Sequence, residues 1–110
     1  MTKYERASQL WSILALSANN KQILTYDLVS KLTGLPRQAI GGLLEPIQAY
    51  CIAKKIPALT SLIVSEKTGL PGLGFIAVND VPLEHIKVFN FNWLDYGCPK
   101  VEKFEIEEPR

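Results

Sequence analysis

Two adjacent polar residues, Arg37 and Gln38, are the side chains of this sequence best suited to specific recognition chemistry. They follow Leu35-Pro36, and proline is favoured at the first position of a helix because its missing N–H would be unpaired there. Arginine can form two hydrogen bonds to the edge of guanine, and glutamine can do the same with adenine. Because recognition helices contact base edges with their N-terminal residues, the pair predicts contact with double-stranded DNA.

Three further residues could contact the DNA backbone beside that helix. Thr25 and Tyr26 come at the predicted start of the preceding helix, where hydroxyl groups and unpaired backbone N–H groups can bind a phosphate. Lys67 lies in a predicted turn and could reach a neighbouring phosphate or groove. A solvated helix face that contacts another protein is the alternative interpretation of the same residues.

No combination of residues predicts catalysis. His85 is the only histidine and has no cysteine or carboxylate cluster at zinc-ligand spacing beside it, so we expect a surface or capping role. Cys51 falls on the apolar side of a predicted helix and is expected in the core. The glycine-rich run 69–74 lacks the order of a phosphate-binding loop and predicts a tight hairpin. We expect no enzymatic activity, no cofactor and no metal.

The charges of the 110-residue chain are distributed unevenly, although the formal net charge is only +1. Residues 1–58 hold seven basic and three acidic side chains, whereas residues 59–110 hold five basic and eight acidic ones. A composition of 47% hydrophobic and 21% charged residues is typical of a single globular domain. With no apolar run long enough to cross a bilayer and no secretory pattern at the start, we expect a cytoplasmic protein with reduced cysteines.

The hydrophobic pattern predicts three helices followed by a β-hairpin. Apolar residues recur at helical spacing over residues 3–18, and Thr25 and Gly34 are suitable first and last residues of a second helix. On that helix Leu28, Val29 and Leu32 are expected to face inward. A third helix opens at Leu35-Pro36 and continues to about Lys54.

The rest of the chain predicts a wing and an extension. Residues 59–65 are apolar and β-branched and predict a strand, followed by a turn at 66–69 and a second strand at 72–78. The predicted fold class is therefore α+β: a winged helix-turn-helix domain over residues 1–80, with a three-helix core and a β-hairpin wing. Residues 81–110 are expected to form a helical or extended C-terminal extension that packs on this domain and has an acidic end.

Two segments resemble a known family. The sequence TYDLVSKLTG at 25–34 resembles the TY-x-x-[LI]-A-x-x-x-G helix of alkylguanine-DNA alkyltransferases and alkyltransferase-like proteins. The sequence RQAIGGLL at 37–44 resembles their recognition helix, and the resemblance covers roughly residues 20–76. It implies a winged-helix domain on DNA, with Tyr26 contacting a phosphate and the small Gly41 and Gly42 allowing the helix to approach closely.

The residues that form the active site of that family are absent from this chain. The family has I-P-C-H-R, whereas this chain continues from Ile56-Pro57 as Ala58-Leu59-Thr60. A thiolate must accept the alkyl group, so the resemblance implies DNA docking without alkyl transfer. Gln38 stands where the family inserts an arginine into the base stack, and base flipping is not expected.

The sequence thus predicts a non-enzymatic protein that binds double-stranded DNA with a recognition helix and a wing. A protein of this type would serve as a regulator or as a phage or host-defence factor. The alternative is a small adaptor or inhibitor that binds another protein through its C-terminal aromatic and acidic region. A homodimer fits both interpretations.

Overall fold

A computed structural model describes residues 1–72 and 79–107. Its elements, in chain order, are α1 (Lys3–Asn19), β1 (Leu24–Thr25), α2 (Tyr26–Thr33), α3 (Arg37–Lys54), a 3-10 helix (Leu59–Leu62), β2 (Ile63–Val64), α4 (Val81–Asn90), α5 (Trp93–Tyr96) and α6 (Val101–Glu107).

Helix α1 is the central element of the core. The Thr2 hydroxyl accepts the Glu5 N–H, and the Glu5 carboxylate accepts the Thr2 N–H at 2.9 Å, which forms a capping box. Its apolar stripe is buried as the helical spacing predicts; the buried members include Ala7, Leu10, Trp11, Leu14 and Ala18. The first predicted helix is therefore confirmed.

Helices α2 and α3 also lie where local signals predict them. The Thr25 hydroxyl caps α2 by accepting the Leu28 N–H at 3.2 Å, and α2 ends at Gly34 in the left-handed conformation with φ of 74°. A turn of three residues, Gly34 to Pro36, leads into α3. The predicted inward face of α2 is wrong in part, because only Val29 is buried, while Leu28 and Leu32 are 43% and 58% exposed.

We expect Gly34→Ala to lower the free energy of unfolding by about 1 kcal/mol, because a left-handed residue with a Cβ is sterically strained. Nothing lies within 4 Å of the added Cβ, so the loss would come from the backbone alone. Urea denaturation measures it. Gly34→Asn should lose less, since asparagine tolerates this conformation. Equal stability of wild type and Gly34→Ala would contradict the left-handed end of α2.

The predicted fold class is wrong. The described residues are 67% helix and 4% strand, and the expected strand at 59–65 is instead a 3-10 helix followed by the two-residue β2. β2 pairs with β1 in parallel, Leu24 opposite Ile63 and Thr25 opposite Val64. The fold is mostly helical with a two-stranded parallel sheet, not a winged helix with a β-hairpin wing. The second predicted wing strand, 72–78, lies largely outside the described residues.

The physical reason is that residues 59–64 are buried on every side. All six are buried, and the 3-10 helix packs against α1, α3 and α4. A half-buried strand needs one apolar and one polar face, whereas a completely buried apolar segment can adopt either conformation. The β-branched composition therefore did not distinguish a strand from a short helical turn.

The C-terminal helices complete the core through aromatic rings. Trp93 of α5 and Phe104 of α6 are 2% and 0% exposed, and their ring centroids lie 5.5 and 5.9 Å from that of Trp11. Tyr50 of α3 joins them, edge-on to Trp11 at 5.6 Å. The Trp93 indole N–H donates to the Val88 carbonyl at 2.8 Å, which ties α5 to α4. Trp93 and Phe104 are thus interior residues, not surface residues.

Candidate nucleic-acid interface

Arg37 begins α3 and is already paired with two carboxylates. Its Nη1 lies 3.5 Å from Asp27 Oδ1, and its Nη2 bonds Glu66 Oε2. The arginine side chain remains 45% exposed. The structure therefore presents Arg37 at the surface, but with its guanidinium between acidic groups of α2 and of the segment after β2.

Glu66 links this arginine to the first turn of α2. Its Oε1 accepts the backbone N–H of Asp27 at 2.9 Å, while Oε2 accepts from Arg37. The Asp27 N–H is the main cause that lowers the pKa of Glu66, and Arg37 acts in the same direction. Since Thr25 accepts the next N–H, that of Leu28, two of the donors expected to bind a phosphate already have partners within the chain.

Tyr26 contacts the segment that follows β2, residues 65–72. Its hydroxyl accepts the backbone N–H of Gly72 at 3.2 Å, and a Cβ added at Gly72 would lie 2.6 Å from that oxygen. Glycine is therefore needed at 72 for the tyrosine to approach the backbone. The hydrogen bond between Tyr26 and Gly72 thus links α2 to the end of residues 65–72.

Gln38, Gly41 and Gly42 form the exposed surface of the first two turns of α3. A Cβ built on either glycine meets no atom within 4 Å outside its own helix. Neither glycine is therefore required by packing within the described part of the chain. This surface is narrow and open, and Arg37 lies at one end of it.

Lys67 is exposed in the turn after β2, next to Glu66. Its backbone N–H donates to the Ser65 hydroxyl at 3.2 Å, so the turn is ordered by its own hydrogen bonds. We call α2, the first half of α3 and residues 65–72 the recognition face. Its basic residues Lys31, Arg37 and Lys67 are balanced by the acidic residues Asp27, Glu45 and Glu66.

The structure thus brings together Tyr26, Arg37 and the 65–72 segment, whereas Thr25 serves as the cap of α2. Sequence reasoning missed Asp27 and Glu66 as partners of Arg37. Asp27 and Glu66 lie 10 and 29 residues from Arg37 along the chain. Neither separation matches a local motif, so no sequence signal could have found this cluster.

The side chains of His85, Glu84 and Cys51 have structural roles. His85 Nε2 lies 2.7 Å from the Ser61 carbonyl oxygen, and the buried Glu84 carboxylate accepts the Ala58 N–H at 2.6 Å. Burial raises the pKa of the Cys51 thiol to about 12, which keeps it protonated and non-nucleophilic at neutral pH.

Within 1–72 and 79–107, no group of three or more histidine, cysteine, aspartate or glutamate side chains is arranged to hold a metal ion. Among the helices of that same part of the chain, none combines the length and the apolar character needed to cross a bilayer.

Comparison with family models, with curated proteins and with solved structures finds no match for this chain.

Proposed function

We propose that this protein binds double-stranded DNA through the recognition face and catalyses no reaction. The observation that carries the proposal is the exposed surface of α3, where Arg37, Gln38, Gly41 and Gly42 follow a three-residue turn from α2. A short helix, a glycine-containing turn and a second helix with exposed N-terminal residues is the arrangement by which many proteins enter the major groove.

Gly41 and Gly42 support this assignment because they make α3 less stable than alanine would, and no contact within the fold requires them. A glycine inside a helix is about 0.8–1 kcal/mol less favourable than alanine, and neither Gly41 nor Gly42 relieves a contact within the described chain. A surface without side chains lets the helix backbone approach another molecule closely. The major groove admits an α-helix, and a glycine surface would place Arg37 and Gln38 near the base edges.

The charges of the recognition face define what kind of binding to expect. Equal numbers of basic and acidic side chains give little general attraction to phosphates, so affinity would depend on a few direct contacts from α3. The ion pairs of Arg37 are exposed, and solvent-exposed pairs contribute little to stability. A guanine or a phosphate, which arginine binds with two hydrogen bonds, can therefore replace them.

We expect Arg37→Ala to weaken binding of a random 20-base-pair duplex about tenfold, because it removes a charge-assisted contact to a phosphate, and hydrogen bonds to charged groups contribute about 1.5–3 kcal/mol. Fluorescence anisotropy at about 50 and 200 mM salt measures affinity and its salt dependence, whose slope should fall by about one. Lys103→Ala, at an exposed position of α6, removes one positive charge elsewhere and is the matched control. Failure of both the wild type and Glu66→Gln, which removes the carboxylate paired with Arg37, to bind duplex DNA at low salt would refute the proposal.

A second candidate function is docking to another protein, favoured by the exposed leucines of α2. Leu28 and Leu32 are four residues apart and 43% and 58% exposed, so they form one apolar strip beside the balanced charges of the recognition face. Replacing both by serine should leave DNA affinity unchanged if α3 binds DNA. If wild type binds no DNA and the double variant abolishes a self-association that wild type shows in sedimentation velocity, docking is favoured, with a second copy of this chain as the partner.

The compartment proposed for either function is the cytoplasm. Cys51 and Cys98 are both free thiols, the first buried and the second exposed. Exposed free thiols persist in a reducing environment.

A further inference from the structure

The carboxylate of Glu66 bridges the guanidinium of Arg37 and the first turn of α2. One of its oxygens accepts from the guanidinium and the other from the Asp27 backbone N–H. A phosphate has the same two kinds of acceptor oxygen to offer, one for the guanidinium and one for the backbone N–H, and both anions bind arginine through charge-assisted hydrogen bonds. Glu66 and a phosphate are therefore alternative partners of one guanidinium.

Glu66 is held in this position by the segment that carries it. The segment starts directly after β2, which pairs with β1 immediately before α2. It closes on itself through the Ser65 N–H to the Leu70 carbonyl at 2.9 Å and the Gly69 N–H to the Ser65 carbonyl at 2.8 Å. At its other end the Gly72 N–H donates to the Tyr26 hydroxyl. Glu66 therefore reaches Arg37 from a turn that is attached at both ends.

The charge around Arg37 opposes DNA while this turn is in place. One guanidinium faces two carboxylates, those of Asp27 and Glu66, so the local charge is negative. Release of Glu66 leaves Arg37 with Asp27 alone. Lys67, the next residue along the turn, is exposed. Once Glu66 has left Arg37, a phosphate can contact Lys67 without passing close to the Glu66 carboxylate.

We propose that Glu66 is an internal competitor of DNA for Arg37, and that the 65–72 segment must release this arginine before the recognition face binds DNA tightly. This inference rests on the proposed DNA binding. In this inference Glu66 lowers the affinity for DNA by pairing with Arg37, and it does not itself contact the nucleic acid.

The test is a set of four proteins: wild type, Glu66→Gln, Arg37→Ala and the double variant, each titrated with the same random 20-base-pair duplex. We expect Glu66→Gln to bind about three- to tenfold more tightly than wild type, since it removes the competing charge but keeps the side-chain shape. Glu105→Gln, at an exposed position of α6, removes the same charge at a distance and should change affinity less than about 1.5-fold. In the Arg37→Ala background the Glu66→Gln effect should vanish.

The outcomes separate this inference from the proposed function. If wild type binds DNA and Glu66→Gln binds no more tightly, competition by Glu66 is refuted and DNA binding stands. If Glu66→Gln strengthens binding equally with and without Arg37, the effect is general electrostatics and the inference fails. If neither wild type nor Glu66→Gln binds, both are refuted. Binding by Glu66→Gln alone supports both, and thermal melting of each variant confirms that it is folded.

Discussion

Trp93→Ala is expected to lower the free energy of unfolding by about 3–5 kcal/mol, as large aromatic-to-alanine changes in cores do. The indole is 2% exposed, and its ring centroid lies 4.3 Å from that of Phe91 and 5.5 Å from that of Trp11. Its N–H donates to the Val88 carbonyl at 2.8 Å, and the variant loses this hydrogen bond. Because domains of this size have stabilities of about 5–15 kcal/mol, a large part of the stability would be lost. Urea denaturation followed by circular dichroism measures the change.

Two further variants are the controls for Trp93→Ala. Trp93→Phe keeps an aromatic ring but loses the hydrogen bond to Val88, and should cost less than the alanine variant. Leu94→Ala changes the adjacent residue, which is 57% exposed, and should change stability by less than about 0.5 kcal/mol. If Trp93→Ala were as mild as Leu94→Ala, the C-terminal helices would not be part of the core.

Gly41→Leu is expected to weaken DNA binding at least about tenfold, because a branched side chain on α3 would hold the helix away from the base edges. The fold should tolerate it, since a Cβ at this position meets nothing within 4 Å. Stability should rise by up to about 1 kcal/mol, the difference in helix propensity between glycine and leucine. Anisotropy with duplex DNA and urea denaturation measure the two effects on the same preparation.

The control for this variant is Ala53→Leu. Ala53 is also exposed on α3, but it lies in the last turn of the helix, away from Arg37. It should leave DNA affinity unchanged. If Gly41→Leu bound duplex DNA as well as wild type, the first two turns of α3 would not be the approaching surface, and docking to a protein through Leu28 and Leu32 would become the favoured function.

Local signals were sufficient for the first half of the fold. The apolar spacing of α1, the hydroxyl of Thr25, the left-handed Gly34 and the proline before Arg37 each act within a few residues. Each of these signals can therefore be recognised without knowing which distant segments pack against it. The exposure of Gln38 and Gly41 followed from their position at the start of a helix.

The conformation of residues 59–64 and the roles of the aromatic residues were decided by packing. Leu59 to Leu62 became a 3-10 helix because α1, α3 and α4 surround them, and the composition of a completely buried segment does not specify its conformation. Trp93 and Phe104 entered the core only because α5 and α6 return to Trp11.

The sequence by itself determined that Arg37 opens a helix and points outward, because the preceding glycine and proline set the local backbone. Only the tertiary structure decided what surrounds its guanidinium. Asp27 and Glu66 stand 10 and 29 residues away along the chain, and they reach it because α2 packs on α3 and β2 pairs with β1. Electrostatic environment depends on distance in space, and that distance is set by the fold as a whole.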